Sequence, residues 1–389
     1  MRAKPARIAA LDSLRGLLAV WVVGAHVASR SLLDSQVRSA HLASLIEPML
    51  PVSVFIILSG FVVFYLLNRE QLSYGAFLTR RLFRLVPLYF VVLLIAAPLV
   101  QTQLHVLESL PVRNHTILDS IRIHQETLAQ FWPHLAAHVT LLHGLIPDAW
   151  LRDSSHTFLS PGWSISLEWQ FYIVAPLLLV LMRQRRILVL VMLGAGCAAL
   201  QFAQVAGFGF LPNQAAYFLL GISSWYLFLH AERLSAVKAR VRDLVMVGLC
   251  VLTYLLLPNH WPVIIWLVVM NVVLAERLGL ATWLTRLGHS ILHLPAFKRL
   301  GEISYSIYLL HIPIMHASLY LIIHQAPGLS GWAFLAALLP LTLVLSIVAS
   351  VFTHRFIELP AIRLGKRLSQ PVEATQALNL SAGVWLTSH

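Results

Sequence analysis

Of 389 residues, 58% are hydrophobic and only 11% are charged. Soluble domains carry roughly a quarter charged residues, so a water-facing fold is excluded for most of the chain. The net charge of +12 is scattered through short loops and forms no basic arm or domain, which excludes nucleic acid as a partner.

Apolar runs of spanning length, roughly 17–25 residues, occur at 8–29, 48–68, 82–102, 162–182, 187–206, 212–230, 241–258, 262–279, 302–324 and 332–354. They predict an all-α, polytopic membrane bundle of ten transmembrane helices. The leader MRAKPAR could open a secretory signal, but Asp12 and Arg15 interrupt the apolar stretch and no small-x-small cleavage site follows. The first span is therefore expected to be retained. With the N-terminus inside, 22 of the 28 Lys and Arg fall in inner segments and 5 in outer ones, the asymmetry of a chain with both termini cytoplasmic. The one long outer segment, 103–161, is polar. Within it, 134–146 reads as a short interfacial or re-entrant helix, too short and too His-rich to span. Cys197 and Cys250 lie inside apolar runs and read as free thiols packed as small hydrophobes. The membrane domain is expected over 1–367, followed by a disordered tail, 368–389.

Polar residues inside these spans are expensive in hydrocarbon and mark function. In the first, IAALDSLRGLLAVWVVGAHV, Arg15 and His26 are eleven residues apart. That is three helical turns plus roughly 20°, so the two share a face, separated by roughly 16 Å of rise. Arg15 lies toward the cytoplasm with Asp12 one turn before it, and His26 lies near the outer end. The segment RRLFRLVPLYF brings Arg80, Arg81 and Arg84 to the cytoplasmic mouth of the third span. Arg81 and Arg84, at i and i+3, share a face in the manner of a phosphate clamp, although positive-inside flanking alone also accounts for them. The fourth span opens PGWSISLEWQFYIVAP, with Trp163 and Ser164 at its start and Glu168 about six residues, roughly 9 Å, below the outer surface. A carboxylate there needs a partner, and His26 at comparable depth is the expected one. The ninth span opens LGEISYSIYLLHIPI, with Tyr305 and Tyr308 leading to a mid-membrane His311.

Taken in order, LDSLRG with His26, PVSVFIILSGFVV, RRLFRLVP, PGWSISLEWQFY and LGEISYSIYLLH resemble the successive signatures of the acyltransferase type 3 family. The resemblance runs from residue 8 to about 315. It implies an integral-membrane enzyme that takes an acyl group, with acetyl the expected one, from cytoplasmic acyl-CoA. The group passes to a hydroxyl of an extracytoplasmic or lipid-linked carbohydrate. His26 then falls on the catalytic position, and Arg15, Arg81 and Arg84 on the donor phosphates. Trp163, Ser164, Tyr305 and His311 fall in the pocket, with Asp12 beside Arg15. Glu168 is expected to orient His26 as a carboxylate does in hydrolytic triads. The resemblance implies acyl-CoA as co-substrate and an inner-membrane location; no metal is expected. The competing reading is a flippase of lipid-linked sugars, but the matching Gly/Pro-broken repeat halves of a transporter are not evident in the sequence.

Overall fold

The computed structural model describes residues 8–30, 46–70, 72–110, 114–231, 239–257, 259–329 and 331–370. The leader and nearly all of the expected tail lie outside the described residues. Every regular element among those described is helical. In chain order these are α1 (Ala9–Ser29), α2 (Met49–Glu70), α3 (Tyr74–Ala96), α4 (Val100–Glu108), α5 (His115–Ala129) and α6 (Phe131–Val139). They are followed by α7 (Trp163–Arg183), α8 (Ile187–Ala203), α9 (Leu211–Leu229), α10 (Ala239–Leu256), α11 (Trp261–Leu278) and α12 (Trp283–Leu292). The chain ends with α13 (Pro295–Glu302), α14 (Ser304–Gln325), α15 (Gly331–Thr353), a π-helical turn (His354–Glu358) and α16 (Leu359–Leu368).

Each expected span coincides with a helix. Seven of these helical stretches are long and apolar enough to cross a bilayer: α1, α2, α3 continued by α4, α7, α11, α14, and α15 continued by α16. The three others are shorter or more polar. α8 has 17 residues, α9 opens on Pro212, Asn213 and Gln214, and α10 opens on Arg240, Arg242 and Asp243. The third span is much longer than its apolar run suggested. Helix starts at Tyr74 and continues through a 3₁₀ turn to Glu108, because RRLFR and QTQLHVLE carry good helix formers on both sides of the greasy stretch.

Two close crossings set the frame. α1 packs against α13 and α14, and at Gly301 an added Cβ would sit 1.9 Å from the Asp12 carbonyl oxygen. α2 packs against α9, where a Cβ on Gly221 would sit 2.0 Å from the Ile57 carbonyl oxygen. Membrane helices associate by such backbone contact, since lipid offers no hydrophobic drive to bring them together. Around these crossings Leu18, Phe61, Phe64, Tyr89, Phe171 and Trp266 form a continuous core.

The described residues of the segment expected outside, 103–161, fold as a cap. Of the stretch 134–146, only its start is helical, within α6, and the rest is turns. His138 explains the arrangement: its Nδ1 meets the Tyr89 hydroxyl on α3 at 2.8 Å, and its Nε2 meets Thr157 Oγ1 at 2.9 Å. His143 stacks on it at 4.0 Å and reaches the Gly162 carbonyl, 2.9 Å away, just before α7. The histidines that make this stretch too polar to span are the pins that fix the cap to α3 and to the entry of α7.

Candidate active site

Between α1, α2, α3, α7 and α14 lies a cavity of about 110 Å³. Its polar lining follows from helical spacing. On α7, Ser164, Glu168 and Tyr172 recur every four residues and form one stripe; on α14, Tyr308 lies four residues after Ser304 and three after Tyr305, so both meet it on one face. Arg81 and Arg84 enter from α3, Arg15 from α1 and Ser59 from α2.

None of the Arg15, Arg81 and Arg84 guanidinium groups forms an ion pair or a hydrogen bond with a carboxylate among the described residues. Arg81 rests on the rings of Phe77 and Tyr172, 5.2 and 5.3 Å from their centres. The expected cluster of three neighbouring arginines on α3 is a pair. Arg80, turned about 100° from Arg81 along the helix, bonds instead to Glu70 at 3.1 Å and Ser369 at 2.7 Å. Opposite the arginines, Glu168 accepts hydrogen bonds from the Tyr172 hydroxyl and from Ser59 Oγ. Three cations therefore face one carboxylate in a largely apolar enclosure. The chamber is short of anions.

The expected bond between Glu168 and His26 is not formed. Matching depth along two helices says nothing of azimuth, and Glu168 turns toward the arginines. The partner of His26 is His311, with His311 Nε2 3.3 Å from His26 Nδ1 and ring centres 4.9 Å apart. The contacts fix the proton positions. His311 Nδ1 lies 2.7 Å from the Tyr308 carbonyl oxygen and must donate to it. Its Nε2 is then a lone pair. His26 Nδ1 lies 3.0 Å from the Val22 carbonyl oxygen, so it too carries the proton and shares it with His311 Nε2. This leaves His26 Nε2 unprotonated and free to accept.

Of the other expected pocket residues, Ser164 and Tyr305 line the chamber. Ser164 Oγ is 2.9 Å from the Tyr308 hydroxyl, and Tyr305 donates to the Leu85 carbonyl at 2.6 Å. Trp163 is buried outside the lining, edge-on to Phe208 at 4.8 Å. Asp12 sits at the α1–α13 crossing, outside the lining, and its Oδ2 has no hydrogen-bond partner among the described residues. His26 and His311 also stand outside the chamber wall. Tyr308, whose ring centre is 6.0 Å from that of His311, separates them from it.

Sequence reasoning missed three contributors. Ser59 and Tyr172 hold Glu168. Glu358, only 4% exposed, accepts from Ser306 and His354 at 3.0 Å each and lies within the field of Arg84. Its signal was an acidic residue directly after a long apolar run, in a π-helical turn of the kind that gathers at functional sites. Among the described residues, one group has metal-ligating geometry: Glu276, His289 and His293, with ligand atoms within 4.8 Å of one another. It sits on α11, on α12 and on the residue that follows α12, and none of its members lines the chamber.

Comparison with known proteins gives a family-model match, to the family described as "Acyltransferase domain", over residues 8–351. The chain is 29% identical to the acyltransferase MdmB of Streptomyces mycarofaciens over 201 residues, which is 50% of this chain and 46% of that protein. It is also 29% identical, over 328 residues, to BcsY of Komagataeibacter xylinus, named a membrane-bound transacylase. That alignment covers 78% of this chain and 75% of the relative. The chain thus spans about half the length of the first relative and three quarters of the second. No solved structure matches it.

Proposed function

The chain belongs to the acyltransferase family whose model covers residues 8–351, and on that premise we propose that it transfers an acyl group from cytoplasmic acyl-CoA to a carbohydrate hydroxyl on the outer face of the inner membrane. The acceptor is a glycan or a lipid-linked sugar, and acetyl is the acyl group. In this reading the chain crosses the bilayer ten times with both termini inside, as its loop charges favour, α8, α9 and α10 completing the set.

One observation carries the proposal: three guanidiniums without carboxylate partners converge on a single chamber whose far wall leads to a paired imidazole with an unprotonated nitrogen. Arg15, Arg81 and Arg84 bind the donor's phosphates. Guanidinium forks suit phosphate oxygens, and a chamber poor in anions favours them. Glu168, held by Tyr172 and Ser59, offsets part of the arginines' mutual repulsion while the chamber is empty. The pantetheine arm passes along α1 toward Tyr308, and the thioester comes to rest beside His26.

His26 Nε2 takes the proton from the acceptor hydroxyl as its oxygen attacks the thioester carbonyl. The new C–O bond forms, the C–S bond breaks, and the imidazolium returns its proton to the departing thiolate. His311 positions His26 by accepting from Nδ1, and this contact strengthens as charge develops on the ring. The same bare Nε2 can instead attack the thioester directly and carry the acyl group itself; an acid-quenched acyl-histidine separates the two routes.

The direct test uses purified protein with radiolabelled acetyl-CoA. Transfer or slow hydrolysis by wild type and none by a folded His26→Ala variant supports the reading; a variant with near-normal turnover refutes it.

A further inference from the structure

Arg30 caps the C-terminal end of α1, one turn beyond His26, and only 5% of its surface is exposed. Its one side-chain bond among the described residues is a long contact to Ser120 Oγ, at 3.3 Å. Nε and Nη1 have no partner among the described residues. Facing it from α14 is His316, 3% exposed, with neither ring nitrogen bonded among the described residues. Together with Gln103, Ser120, His124 and His156 they line a second, smaller cavity of about 20 Å³. His124 is committed elsewhere, its Nδ1 to the Ser120 carbonyl at 2.7 Å and its Nε2 to Gln103 Oε1 at 3.1 Å. Among the described residues, no carboxylate lines this cavity. Burial pulls the Arg30 guanidinium down, but only to about 10, so it is cationic at neutral pH.

A buried cation with bare donors and no counter-charge is costly unless something supplies the acceptor atoms. A volume of this size holds one or two waters, which suits a single compact oxyanion and not a sugar ring. Its location is equally informative. Tyr308 lines the inner chamber and Ile312 the outer cavity, with His311 between them on the same helix. The imidazole pair therefore stands between a chamber holding three cations on the donor side and a cation-bearing pocket on the other.

We propose that the outer cavity is an anion subsite of the acceptor: Arg30 and His316 hold a phosphate or carboxylate group carried by the acceptor, and so set one of its hydroxyls against His26 Nε2. The inference rests on the reading of His26 as the transfer centre, and it narrows the acceptor to an anionic carbohydrate.

The test uses the full chain in detergent, first titrated with coenzyme A and then held saturated with it, so that Arg15, Arg81 and Arg84 are occupied. Inorganic phosphate, glucuronate and glucose are then titrated by calorimetry. The expected result is binding of phosphate or glucuronate but not of glucose, weakened about tenfold or more in Arg30→Gln and restored in part by Arg30→Lys. Phosphate binding alone assigns a phosphorylated acceptor, and glucuronate binding a uronic one. His316→Asn, which changes no charge, should weaken the same ligand and keeps the test open if Arg30→Gln does not fold. Absence of anion binding by wild type, equal binding by both variants, or glucose binding as well as glucuronate overturns the proposal. Failure of wild type to bind coenzyme A in the first titration contradicts the donor site instead, and is read separately.

Discussion

At the scale of single residues, the account turns on how protons are shared between two rings. His311 Nδ1 is tied to a backbone carbonyl 2.7 Å away, so its Nε2 can only accept, and His26 is held in the tautomer that bares Nε2. Replacing His311 by Ala removes the acceptor and frees the His26 ring to turn. Turnover should fall by about a hundredfold or more, while the KM for acyl-CoA changes little; His311→Gln, which keeps an acceptor oxygen, should recover part of the loss. A parallel fall in kcat and in coenzyme A affinity would mean that His311 only supports the fold. The arginines make the opposite prediction. Arg84→Ala should weaken coenzyme A binding about tenfold or more, the cost of removing a charge-assisted phosphate contact. Unchanged affinity by calorimetry would return the basic residues to a purely topological role.

Residues were legible where one helix decides the matter. Arg81 with Arg84, and Ser164 with Glu168, share faces by spacing alone, and the structure brings all four to one chamber. Contacts between helices were not legible in the same way. Glu168 and His26 match in depth, yet the rotation of α7 gives the carboxylate to Tyr172 and Ser59. In the sequence Arg30 reads only as a loop charge after the first span, because nothing in a linear sequence shows that α5 and α14 close around it.

At the scale of elements, α1 is placed by a backbone crossing. A Cβ at Gly301 would overlap the Asp12 carbonyl oxygen, which cannot rotate away, so Gly301→Val must push α13 from α1, three residues from Arg15. Overpacking of this kind costs about 1–3 kcal/mol, and the melting temperature in detergent should drop by several degrees. Gly24→Ala, on the same helix but with open space around its Cβ, should leave it unchanged. Equal melting of both variants would show that the crossing does not set the packing.

The outer cap makes a pH prediction. Burial holds His143 down at about 4 and His138 well below the usual range. The unfolded chain binds the proton first, near pH 6.5, so the stability these rings contribute is complete above that pH and lost as pH falls toward 4. For His143 the interval corresponds to about 3 kcal/mol. Thermal scans between pH 7 and pH 4.5 should show a steep loss that His143→Gln flattens; a flat wild-type profile would remove the cap from the stability account. The sequence marked this stretch as too polar to cross the membrane but could not show that its histidines pin the cap to Tyr89 and Gly162.

At the scale of the whole molecule, two cavities of unequal size lie on either side of one imidazole pair, whose rings line neither of them. Among the described residues, the larger chamber carries three cations against one carboxylate, and the smaller cavity carries Arg30 without a carboxylate. In the proposed reading, this arrangement draws an anionic donor and an anionic acceptor toward the same point from opposite sides of the membrane. The helical, polytopic frame was legible from apolar run length and loop charge. The separation of the two cavities by Tyr308 and the His26–His311 contact was not, because it depends on how α1 and α14 pack together.

The most direct measurement is a cryo-EM structure of the protein with a non-hydrolysable acetyl-CoA analogue. The account predicts density for the phosphates against Arg15, Arg81 and Arg84, an arm running past a displaced Tyr308, and the carbonyl carbon within reach of His26 Nε2. Phosphate density on any other surface, or a carbonyl that remains in the inner chamber beside Glu168 with His26 walled off, would contradict it.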